Sequence, residues 1–338
     1  MSLYCGIDLH ANNNYIGISD ENNRRVHSKK LRNNLEEILR ELEPYKKELE
    51  SVVVESTFNW YWLVDGLMKY GYNVQLANPS AMSQYTGLKY TDDVSDSFWL
   101  AYMDRLGILP TGYIYPREQR SVRDLLRRRF LFVKQRTAHI LSLKSMIARE
   151  CGYNIDTNDL KKLQVYELEN MFENKYLCMI AESNLSIIHH LGRIIDMMEK
   201  EVRSQCRLHD SFKMLLTVPG IGDILAMMIM LEVGDIRRFP AVGNFCSYSR
   251  CVQSIKISNN KKKGENNRKN GNKYLSWAFI EAANYAIRYS PEARRFYQRK
   301  MARTNNIVAR KALANKLARA SYYIMRDGVK FDKEKLFS

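Results

Sequence analysis

Proline is scarce in this chain of 338 residues: there are seven, and none stands between Pro116 and Pro219. So long a stretch without the residue that breaks helices leaves room for long ones. Acidic residues are also in deficit, 37 Asp and Glu against 53 Lys and Arg, for a formal net charge of +16. That balance disfavours a basic partner and points to a polyanion such as nucleic acid or an anionic membrane surface. Long apolar runs are missing too. No stretch approaches the roughly eighteen uncharged apolar residues that span a bilayer, and the N-terminus has no basic region followed by an apolar core. A cytoplasmic nucleic-acid binder with no membrane partner is the expectation. The six cysteines, Cys5, Cys151, Cys178, Cys206, Cys246 and Cys251, contain no C-x-x-C pair. Without a second ligand pair near Cys246 and Cys251, they read as reduced and structural rather than zinc-binding. What remains, 45% apolar and 27% charged, suits a globular protein of two or three domains.

Within that ordinary composition one acid is oddly placed. The opening "LYCGIDLHANNNYIGISDENN" (3–23) has two short apolar runs joined by the polar "ANNN", which reads as a β-hairpin. Asp8 then falls inside the first strand, where Asp is disfavoured. The extended "RRVHSKKL" (24–31), an amphipathic helix in "NNLEEILRELEPYKKELE", the strand "SVVVES" (51–56), a helix in "WYWLVDGLMKYG" and the strand "YNVQLANPS" (72–80) follow. Residues 1–116 are thus expected to form a mixed α/β domain with buried central strands.

Further acids join Asp8 in that domain. Glu55 ends "VVVES", at the C-terminal end of a central strand, where open α/β sheets place their ligands. In "KYTDDVSDSFWLAYM", Asp93 and Asp96 are three apart before an apolar helical run, so both carboxylates share one helix face. Asp92 competes with Asp93 for that place, but helical phase favours Asp93, and Asp92 suits a charge at the helix N-terminus. Converging carboxylates repel one another unless divalent cations lie between them, and hard oxygen ligands select Mg²⁺ or Mn²⁺. Two such ions about 4 Å apart clamp the attacking and leaving oxygens of a phosphodiester displacement.

Residues 117–208 carry Leu, Ile and Met at three and four spacing through "LLRRRFLFVKQRTAHILSLKSMIARE" and "NLSIIHHLGRIIDMMEKEVRSQC", predicting two long helices, antiparallel or coiled-coil-like. "LLTVPGIGDILAMMIMLEVGDI" then offers a V-P-G-I-G turn opening an apolar helix, like the hairpin of helix-hairpin-helix modules. The amides of Gly220 and Gly222 can approach a phosphate there, or the glycines only permit a tight turn. Between 254 and 273, Lys256, Lys261, Lys262, Lys263, Arg268, Lys269 and Lys273 oppose Glu265 alone among six asparagines, a loop with a dense positive field. Residues 117–136 hold eight Lys and Arg against two acids, and 294–320 nine against none. Both helical stretches are expected on phosphate backbones, with Arg127, Arg128 and Arg129 together worth up to about three units of salt slope.

The ordered set "GIDLH", "VVVES", "GLKYTDDVSDSFWLA", "LLTVPGIGDILAMMIMLEVGDIRRF" and "RCVQSIKISNNKKKGENNRKNGNKYLSWAFIEAANYAI" resembles the DEDD transposases of bacterial insertion sequences, the IS one-ten and IS eleven-eleven type, over nearly the whole chain. The resemblance implies a RuvC-like (RNase H fold) DEDD domain at 1–116 and a helical coiled coil at 117–208. It further implies a second, mostly helical transposase domain with a serine loop at 209–300, leaving a basic helical tail at 301–338. It places the acidic tetrad on Asp8, Glu55, Asp93 and Asp96, and the serine nucleophile on Ser258 in "KISNNKKKG", with Ser247, Ser249 and Ser254 as competitors. Asn259-Asn260 departs from the usual Asn-Gly or Gly-Gly after that serine. The implied activity is DNA cleavage and rejoining through a covalent phosphoserine. Its implied partners are a structured non-coding RNA of the element, called bridge or seeker RNA, donor and target double-stranded DNA, and further copies of the chain as a dimer or tetramer. Ser258 is then expected to meet the acids of another protomer. Two other readings stay open: a RuvC-like structure-specific nuclease using water, and a non-catalytic RNA- or DNA-binding protein.

Overall fold

The structure, a computed structural model, describes residues 1–82, 92–252, 255–265 and 270–337. The chain divides into two compact units, Met1–Arg117 and Glu118–Ser338. Among the described residues no helix is long and apolar enough to cross a membrane.

The first unit is built on a six-stranded sheet: β1 (Leu3–Leu9), β2 (Asn13–Asp20), β3 (Arg25–Arg32), β4 (Leu49–Glu55), β5 (Val74–Ala77) and β6 (Thr111–Gly112). Their order is β3-β2-β1-β4-β5-β6. The β1–β2–β3 meander is antiparallel, β1, β4 and β5 run parallel, and β6 is antiparallel to β5. Among the described residues, helices α1 (Leu35–Leu42), α2 (Tyr61–Lys69), α3 (Pro79–Met82) and α4 (Asp93–Arg105) accompany the sheet. The helix expected over 33–50 stops early because Pro44 cannot extend it; a short 3₁₀ turn, Glu43–Tyr45, takes over. The strand expected over 72–80 is similarly short, since Pro79 opens α3.

Alternation divides the sheet into two unlike faces. Cys5, Ile7, Leu9, Ile16, Ile18, Val52 and Val54 join Leu63, Val64 and Leu67 of α2 and Ile38 and Leu42 of α1 in one apolar core. Full burial of each valine contributes about 2 kcal/mol. The opposite face is thin and polar: Gly6 and Asp8 on β1, Gly17 on β2, Ser51, Val53 and Glu55 on β4. There α4 covers a small cluster of Val53, Ala77 and Leu100.

Among its described residues the second unit is helical apart from one hairpin. Helices α5 (Arg117–Cys151) and α8 (Lys175–Cys206) are the two long ones, separated by α6 (Thr157–Leu160) and α7 (Val165–Met171). Arg129 of α5 pairs with Glu199 of α8, and His139 meets Asn184, so the two run antiparallel. Ile140, Leu143 and Ile147 pack with Leu185 and Ile188, and α6 and α7 cap that end through Leu160 and Leu168. Helices α9 (Asp210–Leu215), α10 (Asp223–Val233) and α11 (Val242–Tyr248) precede the antiparallel hairpin of β7 (Ile255–Ser258) and β8 (Lys261–Glu265). Helices α12 (Lys273–Tyr289), α13 (Pro291–Arg303), α14 (Asn306–Asp327) and α15 (Lys333–Phe337) follow. Although residues 301–338 are basic, α14 shares the core of α10 and α12 through Leu313, Leu317 and Tyr322. All six cysteines are free thiols, and burial pushes that of Cys251 up to about 12.

Candidate active site

Backbone geometry assembles the acids of the first unit. Asp8 lies one residue beyond the Ile7–Val54 pair of the parallel β1–β4 ladder, which brings it beside Glu55 at the strand ends. The third element is α4, which lies against the thin face because Gly6 and Gly17, paired across β1 and β2, carry no side chains. A Cβ on Gly6 would run into the backbone of Ser97 and lie 2.8 Å from Leu100 Cβ; one on Gly17 would lie 2.5 Å from Ser97 Oγ. Bare glycine backbone thus lets the first turns of α4 reach the end of β1.

Asp92 takes the N-cap of α4, its Oδ1 accepting from the Ser95 amide at 2.6 Å, and this bond holds its carboxyl below the usual range. Asp93 and Asp96 then stand one turn apart in the helix. Asp8 is only 4% exposed. Burial pushes its carboxyl above the usual range, and the charges of Asp96 and Asp93 push the same way, against His10 and a hydrogen bond with Glu55.

His10 was not among the residues singled out from the sequence, yet its Nε2 lies 3.1 Å from Asp8 Oδ2 and 3.5 Å from Asp93 Oδ1. The period of two along a strand was the available signal, since residue 10 points to the same side as residue 8. Asn33 and Asn59 donate to the His10 carbonyl, both at 3.0 Å, and hold the turn after β1 in place. Ligand atoms of Asp8, His10 and Asp93 all lie within 4.8 Å of one another. A buried carboxylate burdened by two neighbouring acids is the kind of donor set a divalent cation relieves, so these residues fit a hard metal ion.

In the second unit, Ser258 is exposed at the end of β7 and pairs with Lys261 across the turn. Asn259 and Asn260 have φ of +52° and +55°, the two positive values that a type I′ hairpin requires. Residues 255–265 of the segment expected as a basic loop therefore form a tight hairpin, because asparagine tolerates the left-handed region that Asn-Gly usually supplies. Lys256 and Lys262 stand on β7 and β8, Lys261 and Lys263 are exposed, and Lys273 is exposed at the start of α12. Arg268, Lys269 and Ser254 lie outside the described residues. Of the competing serines, Ser249 is buried.

The other sequence candidates divide. Gly220, at φ +83°, packs so closely on α12 that a Cβ would run into the carbonyl of Ala282 and lie 2.6 Å from the Ala286 amide. Its need for glycine is interhelical packing. Gly222 has open space around it, but Asp223 occupies the first turn of α10 and pairs with Arg203, so that helix end already holds an anion. Arg127 is bound to Glu232 through Nε at 2.6 Å and Nη2 at 2.7 Å, and Arg129 to Glu199 at 2.7 Å; Arg128 is exposed.

A carboxylate cluster at the ends of parallel strands is an arrangement able to hold a divalent cation. Comparison with known proteins shows the class of protein that carries it. Residues 5–151 match the DEDD transposase model of the IS110 group, described as a transposase, and residues 212–298 match the transposase IS116/IS110/IS902 family. The chain is similar to the transposase for insertion sequence element IS1328 of Yersinia enterocolitica, 22% identical over 83% of this chain and 85% of that one. It is also similar to the 43.6 kDa protein of insertion element IS110 of Streptomyces coelicolor, 26% identical over 44% of this chain and 36% of the relative, so the match spans about a third of that protein. The chain belongs to the IS110 family of transposases.

Proposed function

We propose that this transposase cuts and rejoins DNA with a RuvC-like acidic domain and a serine nucleophile, guided by a structured non-coding RNA of its own element. The observation that carries the reading is Asp8 within ligand range of His10 and Asp93, with Glu55 and Asp96 also acting on its carboxyl. The strand order of that sheet, with its antiparallel meander continued by parallel β4 and β5, supports the RuvC-like assignment. Asp8, Glu55, Asp93 and Asp96 would hold Mg²⁺ or Mn²⁺, which when bound offsets the charge that develops on phosphoryl oxygens.

Ser258 suits the attacking role because it is exposed at a hairpin tip among cations. Its Oγ forms a bond to phosphorus as one backbone P–O bond breaks; the serine loses a proton and the departing oxygen gains one as a hydroxyl. A phosphodiester linkage is exchanged for another, so a second DNA hydroxyl can reverse the step without outside energy. Lys261 and Lys263, both exposed, supply positive charge beside it. The exposed cations of the second unit and the +16 net charge support double-stranded DNA and RNA as joint partners, and exchange between two duplexes supports an oligomer, dimer or tetramer.

A denaturing gel tests this, with labelled donor and target DNA, RNA transcribed from the sequence flanking the gene, and Mg²⁺. A protease-sensitive shifted band is expected from the wild type and not from Ser258→Ala. Nicking by Ser258→Ala, with no adduct from the wild type, would put water in the place of the serine. Absence of any metal-dependent cleavage by protein that still binds DNA would leave a binding protein.

A further inference from the structure

Glu232 is a carboxylate in the middle of a core. It lies in α10, whose Leu225, Met227, Met228 and Ile229 are buried, and is itself fully inaccessible. Three donors converge on it: Arg127 Nε at 2.6 Å on Oε1, with Arg127 Nη2 at 2.7 Å and Asn272 Nδ2 at 2.6 Å on Oε2. Arg127 arrives from α5 and stacks over the Tyr274 ring, 4.7 Å from its centroid. Asn272 is the N-cap of α12, its Oδ1 accepting from the amides of Tyr274 at 2.8 Å and Leu275 at 3.1 Å. A buried ion pair is a poor stabiliser, because desolvation offsets the attraction. A two-pronged guanidinium–carboxylate pair does, however, fix geometry closely.

What it fixes is the chain on either side of the serine segment, at residues 248–251 and 270–272. The Asn272 amide donates to the Tyr248 carbonyl at 2.6 Å. Gly271, at φ +85°, sits where a Cβ would lie 2.5 Å from that same carbonyl. Arg250, also left-handed at φ +56°, donates to the carbonyls of Asn270 at 3.0 Å and Gly271 at 2.9 Å. On the incoming side, the Cys251 carbonyl accepts from Asn315 of α14 at 3.3 Å. The two ends of the segment that presents Ser258 are thus tied together, and Glu232 is the buried carboxylate to which that frame is anchored.

We propose that Arg127, Glu232 and Asn272 form a positioning device for Ser258: they hold the chain on either side of the segment that carries the β7–β8 hairpin and so set the direction in which the hydroxyl meets a phosphate. The proposal rests on the serine reading above. Two variants of the full chain test it. Asn272→Ser keeps a capping oxygen and removes the donor to Glu232. The double variant Arg127→Met with Glu232→Met replaces the ion pair by apolar volume, an exchange that folds tolerate. With RNA, DNA and Mg²⁺ present, adduct formation at saturating DNA is expected to slow about ten- to a hundredfold in both. DNA affinity should stay at the wild-type value, and amides of 255–265 should exchange hydrogen faster. Adduct formation at the wild-type rate in a thermally stable double variant would reduce the network to a structural role and overturn the proposal. So would hairpin exchange unchanged by Asn272→Ser. A wild type that forms no adduct refutes the serine assignment instead, and hairpin exchange then decides the positioning claim by itself.

Discussion

Gly6 on β1 and Gly17 on β2 face each other across the antiparallel ladder, and α4 rests on both. Their missing side chains bring Asp93 and Asp96 to Asp8. Gly6→Ala should push α4 off the sheet, at a cost of about 1–3 kcal/mol for overpacking. It should also weaken Mn²⁺ binding well beyond that of wild type. Urea unfolding and titration calorimetry read the two effects. A folded Gly6→Ala protein with wild-type Mn²⁺ affinity would show that α4 does not set the cluster.

The raised carboxyl of Asp8 gives a pH-dependent stability with a definite sign. The folded chain keeps a proton that the unfolded chain releases, so the metal-free protein should lose stability as pH rises from the ordinary carboxylate range through the raised value of Asp8. Asp8→Asn should remove that slope, melting higher than wild type in EDTA at pH 7 and converging with it near the bottom of the window. Mn²⁺ at a hundred times its Kd should stabilise the wild type by about 2.7 kcal/mol and Asp8→Asn much less. Differential scanning fluorimetry across pH, with and without Mn²⁺, measures both; a wild type indifferent to Mn²⁺ would remove the cluster from metal chemistry.

The three consecutive arginines of α5 should behave differently, because two of them have partners inside the fold. Arg128→Ala is expected to lower the slope of log affinity against log salt by about one unit, the share of one phosphate contact. Arg127→Ala leaves Glu232 buried without its cation and should destabilise by about 3 kcal/mol. Arg129→Ala loses a half-buried pair with Glu199 and should leave the salt slope unchanged. Filter binding over a salt series, alongside thermal melts, separates these outcomes; a slope that falls equally for all three would place the whole run on the nucleic acid.

The turn that presents Ser258 demands positive φ at two positions. Asn260→Gly satisfies that demand more easily and should keep full adduct formation, whereas Asn260→Val places a β-branched residue in the left-handed region and should cut it about tenfold or more. Both variants leave every charge in place. Equal activity of the two would show that the turn geometry has no bearing on the serine.

The strands and long helices of this protein were legible in its sequence because each rests on a local pattern: alternating apolar residues around Asp8, three valines before Glu55, and a proline-free stretch with Leu and Ile at helical spacing. The acids stood out one by one for the same reason: Asp8 inside an apolar strand, Glu55 at a strand's end, and Asp93 and Asp96 in the first turn of a helix. Whether they meet depended on how α4 seats on the sheet, and that was decided by two glycines eleven positions apart whose pairing only the β1–β2 register reveals. His10, just past the end of β1, joined them through its contacts with Asp8 and Asp93. The fate of the cations was likewise tertiary. Nothing local distinguishes Arg127 from Arg128, but a helix turns 100° between them, and one meets the buried Glu232, 105 positions away, while the other meets solvent. Sequence spacing determines which groups share a face of one element; which face is buried, and against what, is settled by the packing of elements distant in the chain.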